Sequence, residues 1–431
     1  MKCIQCGTDN NLKDRTANRG RCSMCNHRFV FEPTSMGNVK ITDPLFAKAI
    51  ADISGNNTLF FTRQQFFYLL DKRLGRKIIP FSVAFSVGFL FFILAVFGGI
   101  GLANSSAPAT AANIITALFT IAILSTAVAS FNSANVKSHI RRFRARFLQT
   151  YGVVTLVAGI FFSVVIFDSS IMNLISVLLG MSSIFLGRRQ LKRQRDLPEP
   201  LFIEKQQFQS WMMRWTQING PISKILPSPR EENTAATVNP DITAYSFDRL
   251  VVCDSPTIAQ LLIANNFHFE NNCAVLSITG YPQSIFDTTM QMLRRNPDLK
   301  VYALHDCSPR GIGLVHHLRT SVNWFGNSNV MIFDVGLLPR QIFASPNVFI
   351  QASEESAQAA KQLPAAIRQD LSNTELKWLE AGKFVELESF TPQKLIQVLN
   401  RGIAGSQNLD DDSSLILVGD TGFVYASDSF G

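Results

Sequence analysis

Two long stretches without charge dominate what this chain can fold into. From Ile78 to Val136 there is no Lys, Arg, Asp or Glu, and from Phe147 to Gly187 there is only Asp168. A bilayer core of roughly 30 Å takes about 20 apolar residues in a helix. The stretches therefore predict four spans: Ile78–Ala103, Ala112–Phe131, Phe147–Phe167 and Ser169–Gly187. Asn104-Ser-Ser-Ala-Pro108 and Asp168-Ser-Ser170 would be the turns between them. The alternative is a buried core of long apolar helices. Basic clusters decide the expected orientation. Lys72, Arg73, Arg76 and Lys77 precede the first span. Lys137, Arg141, Arg142, Arg144 and Arg146 separate the second and third. Arg188, Arg189, Lys192, Arg193 and Arg195 follow the fourth. The other two loops carry no Lys or Arg, so the positive-inside rule places both ends in the cytosol, with anionic lipid as a partner. The expected location is a multi-pass protein of the plasma or an inner membrane.

Those three clusters also explain the net charge of +8 over 431 residues. They hold 14 basic residues and no acidic one; the remainder of the chain has a net charge of −6. The basic balance is thus a local feature and not a nucleic-acid signature. The N-terminus shows no short apolar core with a cleavage site, so no signal peptide is expected.

Cys3-x2-Cys6 and Cys22-x2-Cys25 stand fifteen residues apart. In a reducing compartment this spacing points to a metal site and not to disulfides. Residues 1–33 resemble a zinc ribbon. The resemblance implies one structural zinc on Cys3, Cys6, Cys22 and Cys25, with all four tetrahedral positions filled by sulfur. Ribbons of this kind serve either nucleic acid or protein partners, so this one does not by itself choose a function. His27 is expected at the surface.

Residues 39–76 are predicted as a helical connector. Asp43-Pro44 opens one helix, and the capping pattern Thr62-x-x-Gln65 opens a second. Thr62-Arg-Gln-Gln-Phe-Phe-Tyr68 is similar to the winged-helix signature found beside Toprim domains. That similarity would make Tyr68 a DNA-attacking tyrosine; the plainer expectation is a packing aromatic. Residues 188–243 should form a basic flank, a helix bearing Trp211 and Trp215, and a Pro/Ser-rich linker. The tryptophans suit either a headgroup zone or packing against the soluble domain.

From residue 245 to 403, strand-like runs alternate with helical patterns: Leu250–Cys253, Ala274–Ile278, Val301–Leu304 and Val330–Phe333, with helices between. This predicts an α/β, Rossmann-like domain with a parallel sheet and a site at the carboxyl ends of its strands. Thr279-Gly-Tyr-Pro282 and Val301-Tyr-Ala-Leu-His-Asp-Cys-Ser-Pro-Arg-Gly-Ile312 resemble the Toprim domain of the topoisomerase VI A subunit and the meiotic double-strand-break transesterase. Phe333–Pro339 and Glu386–Phe390 are similar to later segments of that family. The resemblance implies a magnesium site built from one glutamate and an Asp-x-Asp pair. Here the glutamate position holds Cys253, the first aspartate is Asp306, and the second position holds Ser308. Hard cations want carboxylates, so magnesium is not expected. Asp254 is the neighbouring carboxylate, but along a strand it points away from Cys253. His305 and Cys307 stand at the same strand end. From Asp241 onward 13 basic residues face 20 acidic ones, a balance that repels a polyanion. Residues 404–431 read as a hairpin tail.

The whole predicts a multi-domain chain: zinc ribbon, four transmembrane helices, and a degenerate Toprim-like cytosolic domain. The expected role is non-enzymatic, binding a protein or nucleic-acid partner at the membrane. The rival is a magnesium-dependent nucleic-acid-processing membrane enzyme using Asp306, Asp254 and Tyr68.

Overall fold

A computed structural model of the chain describes residues 1–37, 39–76, 145–146, 148–153, 156–157, 160, 170–195, 198, 201–229, 248–283, 286–293, 296, 298–326, 328–344 and 348–405. The chain divides into two units, one of residues 1–74 with 201–431, the other of residues 75–200.

The first unit begins with the ribbon. Two tight turns are joined by α1 (Leu12–Ala17), which is closed by a capping box between Asn11 and Asp14. The helical connector follows as α2 (Asp43–Ile53) and α3 (Arg63–Arg76). Asp43 lies at the start of α2, and its carboxylate accepts from the Val30 and Phe31 amides at 2.9 Å each, tying the ribbon to the helix. Thr62 and Gln65 form the expected cap of α3: the Thr62 amide donates to Gln65 Oε1, and the Gln65 amide donates to Thr62 Oγ1.

The second unit contains α4 (Ser170–Arg195). Its Ser183 hydroxyl donates to the Leu148 carbonyl at 2.8 Å, and Ala145 and Leu148 are buried against Leu186 and Leu191. Leu174, Leu178, Met181 and Phe185 are exposed along the helix.

This unit corrects the membrane expectation. Among the described residues, no helix is long and apolar enough to cross a membrane. The predicted spans Ile78–Ala103 and Ala112–Phe131 lie outside the described residues, and Phe147–Phe167 is described only in part. The predicted fourth span does not stop at Gly187. It continues as one helix through Arg188, Arg189, Lys192, Arg193 and Arg195. Arg, Lys, Gln and Leu are all good helix formers, so nothing breaks the helix where the apolar run ends. The residues expected to mark a lipid boundary are part of the helix body. The transmembrane fold, the multi-pass location and the membrane orientation drawn from those spans are therefore withdrawn.

Back in the first unit, α5 (Lys205–Asn219) carries Phe208, Trp211 and Trp215, all buried. They meet Phe31, Phe46, Phe66 and Phe67 from the ribbon's exit, α2 and α3 in a single aromatic core. Trp215 stacks on Phe31 at 6.3 Å and lies 4.7 Å from Phe46. Aromatic pairs at such spacing add about 0.5–1.5 kcal/mol each beyond area burial. Packing, and not a lipid headgroup zone, explains these tryptophans. Asp71 on α3 fixes the entry to α5 by accepting from the Phe202 and Ile203 amides at 2.7 and 2.8 Å.

The α/β body follows as β1 (Arg249–Cys253), α6 (Pro256–Ala264), β2 (Cys273–Ser277), α7 (Phe286–Leu293), β3 (Lys300–Leu304), α8 (Leu314–Thr320), β4 (Met331–Asp334) and, last, α9 (Pro392–Gly405). The four strands are parallel in the order β2-β1-β3-β4. Both faces are covered. Val251, Cys253, Tyr302 and Leu304 pack on one side, and Leu250, Val252, Val301 and Ala303 on the other. Strands buried on both faces read as continuous apolar runs, which is why they were visible in the sequence. β1 and β3 are neighbours although β2 lies between them in the chain. The chain therefore reverses direction across the sheet between them, and this switch point is where a doubly wound sheet opens a crevice at its strand ends.

Candidate functional sites: a four-cysteine ribbon and the strand-end carboxylates

The ribbon brings its four sulfurs together. Cys3 Sγ lies 3.6 Å from Cys25 Sγ, Cys6 Sγ lies 3.5 Å from Cys22 Sγ, and all four fall within 4.8 Å of one another. A tetrahedral zinc with bonds of about 2.3 Å requires sulfur separations slightly under 4 Å, so the residues fit the ion. Each knuckle repeats the same backbone pattern. The Cys3 amide donates to the Thr8 carbonyl and the Gly7 amide to the Cys3 carbonyl. The Cys22 amide donates to His27 and the Asn26 amide to Cys22. Gly7 and Asn26 hold the positive φ that closes each turn.

Asn10 is the residue that sequence reasoning missed. It is fully buried, its Nδ2 lies 3.4 Å from Cys22 Sγ, and its Oδ1 accepts from both the amide and the hydroxyl of Ser23. It locks the first knuckle to the second and orients one sulfur. Its only sequence signal was a position just after the first knuckle. Hydrogen bonds from the Cys25 amide, the Met24 amide and Asn10 outweigh burial and pull the Cys22 thiol down to about 6.

The second cluster sits at the switch point. Asp254 follows β1 and its Oδ2 accepts from the Asp306 amide at 2.7 Å. Asp306 follows β3 and its Oδ1 accepts from the Leu387 amide. Leu387 is held there because Cys307 and Val385 exchange backbone hydrogen bonds at 3.0 Å. That bridge also brings in Glu386 and Glu388. Burial, then mutual repulsion, pushes the Asp306 carboxyl well up. Burial pushes Asp254 and Glu388 up as well.

The three positions of the Toprim resemblance do different work. Cys253 is fully buried in the sheet core, its thiol pushed well up by burial. Ser308 caps the short helix Pro309–Ile312, its hydroxyl accepting from the Gly311 amide at 3.0 Å. Only Asp306 stands at the crevice, joined by Asp254. Among the described residues, only the four ribbon cysteines bring three or more ligand atoms together. One oxygen of each crevice aspartate is committed to an amide, Asp254 Oδ2 to that of Asp306 and Asp306 Oδ1 to that of Leu387.

Tyr68 also comes to this place. Its hydroxyl donates to Glu386 and accepts from Gln64 and Gln351 at 2.9 and 2.8 Å. The ring is 5% exposed and packs against Phe67 and Phe349. Burial, then the Glu386 charge, raises its pKa strongly. Just before the start of the same helix, Thr62 Oγ1 donates to Glu388 at 2.7 Å. The connector thus docks on the Glu386–Phe390 segment, beside a cavity of about 230 Å³ lined by Thr62, Arg63, Lys205, Thr257 and Glu388.

His305 completes the strand ends. It is fully buried between the Asp306 carbonyl and Asp334. Gly336 packs flat on its ring, where an added Cβ would overlap the imidazole.

No family model matches the chain, and neither the curated proteins nor the solved structures contain a match to it.

Proposed function

We propose that the chain is a non-catalytic, Toprim-like binding protein. Its ribbon carries one structural zinc ion, and its larger unit engages a protein or nucleic-acid partner. The observation that carries this reading is the state of Asp306. It is the one carboxylate kept from the Toprim pattern, and it is spent on the Leu387 amide. Cys253 is spent on the core and Ser308 on a helix cap. Side chains used this way hold a fold together. The strand-end crevice keeps its shape, with the connector and the Glu386–Phe390 segment fastened over it through Tyr68, Thr62 and Gln65.

One observation favours a magnesium-dependent enzyme acting on nucleic acid. Asp254 Oδ1 is buried without a hydrogen-bond partner, as an oxygen awaiting a cation would be. Titrating magnesium into the zinc-loaded full chain by calorimetry separates the two. The binding-protein reading expects no saturable heat. Saturable binding lost in Asp306→Ala, together with magnesium-dependent nicking of plasmid DNA, would replace it with the enzyme.

A further inference from the structure

The two knuckles of the ribbon are near copies in backbone but not in charge. In the first, Lys2 stands directly across from Asp9; in the second, Arg21 stands directly across from Arg28. Directly opposed residues on paired strands share a face, about 4.5–5.5 Å apart at Cβ. Opposite charges stabilise such a pair and like charges destabilise it. The first knuckle follows that rule, and the second breaks it.

Nothing in the ribbon relieves the second pair. Asp9 is taken by the Met1 amino group, Asp14 by the Asn11 amide, and Glu32 by Arg15 in a two-pronged ion pair. Arg21 and Arg28 are both exposed, and among the described residues neither has a carboxylate partner. The Arg21 guanidinium reaches only the Asn26 carbonyl, at 3.5 Å. Arg19 is also exposed. The ribbon, residues 1–33, has six basic residues against three acidic ones, all three engaged.

We propose that Arg21 and Arg28 form a fork for backbone phosphates, through which the ribbon grips nucleic acid without reading its sequence. This rests on the partner-binding reading above and names the partner. Paired guanidinium groups match phosphate oxygens in geometry as well as in charge. A rigid hairpin pre-orders both. A protein partner would need a desolvated apolar anchor, and the ribbon's exposed large apolar side chains are two isolated ones, Leu12 at 49% and Met24 at 75%. Phe29 lies buried beneath. With no exposed Phe, Tyr or Trp ring in residues 1–33 to stack on bases, contact falls on the backbone. The acidic balance from Asp241 onward repels the same polyanion, so contact falls on the ribbon.

The test is fluorescence anisotropy of a labelled random-sequence duplex with the zinc-loaded full chain over a salt series. Affinity should fall linearly with salt on logarithmic axes. The slope should shrink by about 2 in Arg21→Gln/Arg28→Gln, roughly 1 for each lost phosphate contact. Arg21→Lys/Arg28→Lys keeps both charges and should keep the slope. Cobalt substitution, read by its thiolate absorption, shows that each variant retains the four-sulfur site. An unchanged slope in the glutamine variant overturns the fork and leaves the partner-binding reading standing. Polyglutamate binding as tightly as the duplex at matched charge overturns it in favour of an acidic protein. No duplex binding at any salt also overturns it, whereas magnesium-dependent nicking would remove the partner-binding reading instead.

Discussion

His305 Nε2 lies 3.0 Å from Asp334 Oδ1, at the ends of two neighbouring strands. The other ring nitrogen lies 2.8 Å from the Asp306 carbonyl. A carbonyl and a carboxylate both accept, so both ring nitrogens carry protons and the histidine is an imidazolium. Burial alone would lower its pKa, but the Asp334 charge, its hydrogen bond and the Asp306 carbonyl lift it to about 9. The folded value thus stands above the unfolded value of about 6.5. Stability from this pair is complete below about 6.5 and is lost as pH rises through about 9. Asp334 is shifted the other way: burial opposes, but His305 prevails and lowers it. Its share is present above the ordinary carboxylate range and is lost as pH falls through the depressed value. Urea midpoints measured from neutral to alkaline pH should decline for the native chain, and His305→Gln should remove most of that decline. Matching pH profiles for the two would contradict the charged pair.

Asp254 and Asp306 carry shifts of the opposite sign. Burial raises both, and repulsion from Asp254 raises Asp306 further, so their charged forms oppose folding as pH climbs past the ordinary carboxylate range. Asp254→Asn keeps an oxygen for the Asp306 amide and removes one charge. It should stabilise the chain by roughly 0.5–2 kcal/mol, the usual return for relieving one unfavourable group. Asp254→Ala instead leaves the Asp306 amide without its acceptor and should cost about 1–3 kcal/mol. Chemical denaturation of the two variants checks the contrast; equal destabilisation in both would mean that the charge itself is needed.

Much of this architecture was legible because it is local. The sheet strands, apolar on both faces, stood out as short uninterrupted runs, and the cysteine spacing announced the ribbon. What was not legible is long-range. Nothing in residues 43–76 says that their aromatic face is completed by Phe208, Trp211 and Trp215, more than a hundred residues on. The choice between Cys253 and Asp254 was decided by the two-residue period of a strand. Cys253 falls on the inward face, and Asp254, one step beyond β1, reaches the crevice. The charge-free stretches misled for a related reason. Hydropathy records what a segment avoids, not where its helix stops, and α4 runs through the basic cluster that looked like a boundary.

Tyr68 ties the connector to the α/β body through two side chains, Gln351 and Glu386, and is braced by Gln64 on its own helix. Phenylalanine would keep the ring contacts with Phe67 and Phe349 and strip every polar one. Tyr68→Phe should therefore destabilise the chain by about 1–3 kcal/mol, the cost of leaving buried partners unsatisfied. The urea midpoint reads this directly. A neutral substitution would show that water replaces the hydroxyl, and that the docking relies on Thr62 and Gln65 alone.

Zinc removal should act on the ribbon and stop at its exit. Residues 1–29 have a small core of their own, Cys3, Cys22 and Phe29, too small to persist without the metal. Val30 and Phe31 are held differently, by the Asp43 carboxylate and by the aromatic core. A chelator should release one zinc per chain while the emission of Trp211 and Trp215 changes little, because their packing does not pass through the sulfurs. Acid should release the ion too, since protons compete with the metal for the thiolates. Cys22→Ser should lower the zinc content of the purified chain towards zero, as should Asn10→Ala more mildly, by freeing one sulfur from its amide partner. Zinc content measured by a colorimetric chelator, with tryptophan emission followed in the same cuvette, checks both halves. If the tryptophan signal collapsed together with zinc release, the Asp43 caps would not be enough to hold the aromatic core, and the metal would organise the whole N-terminal part of the unit.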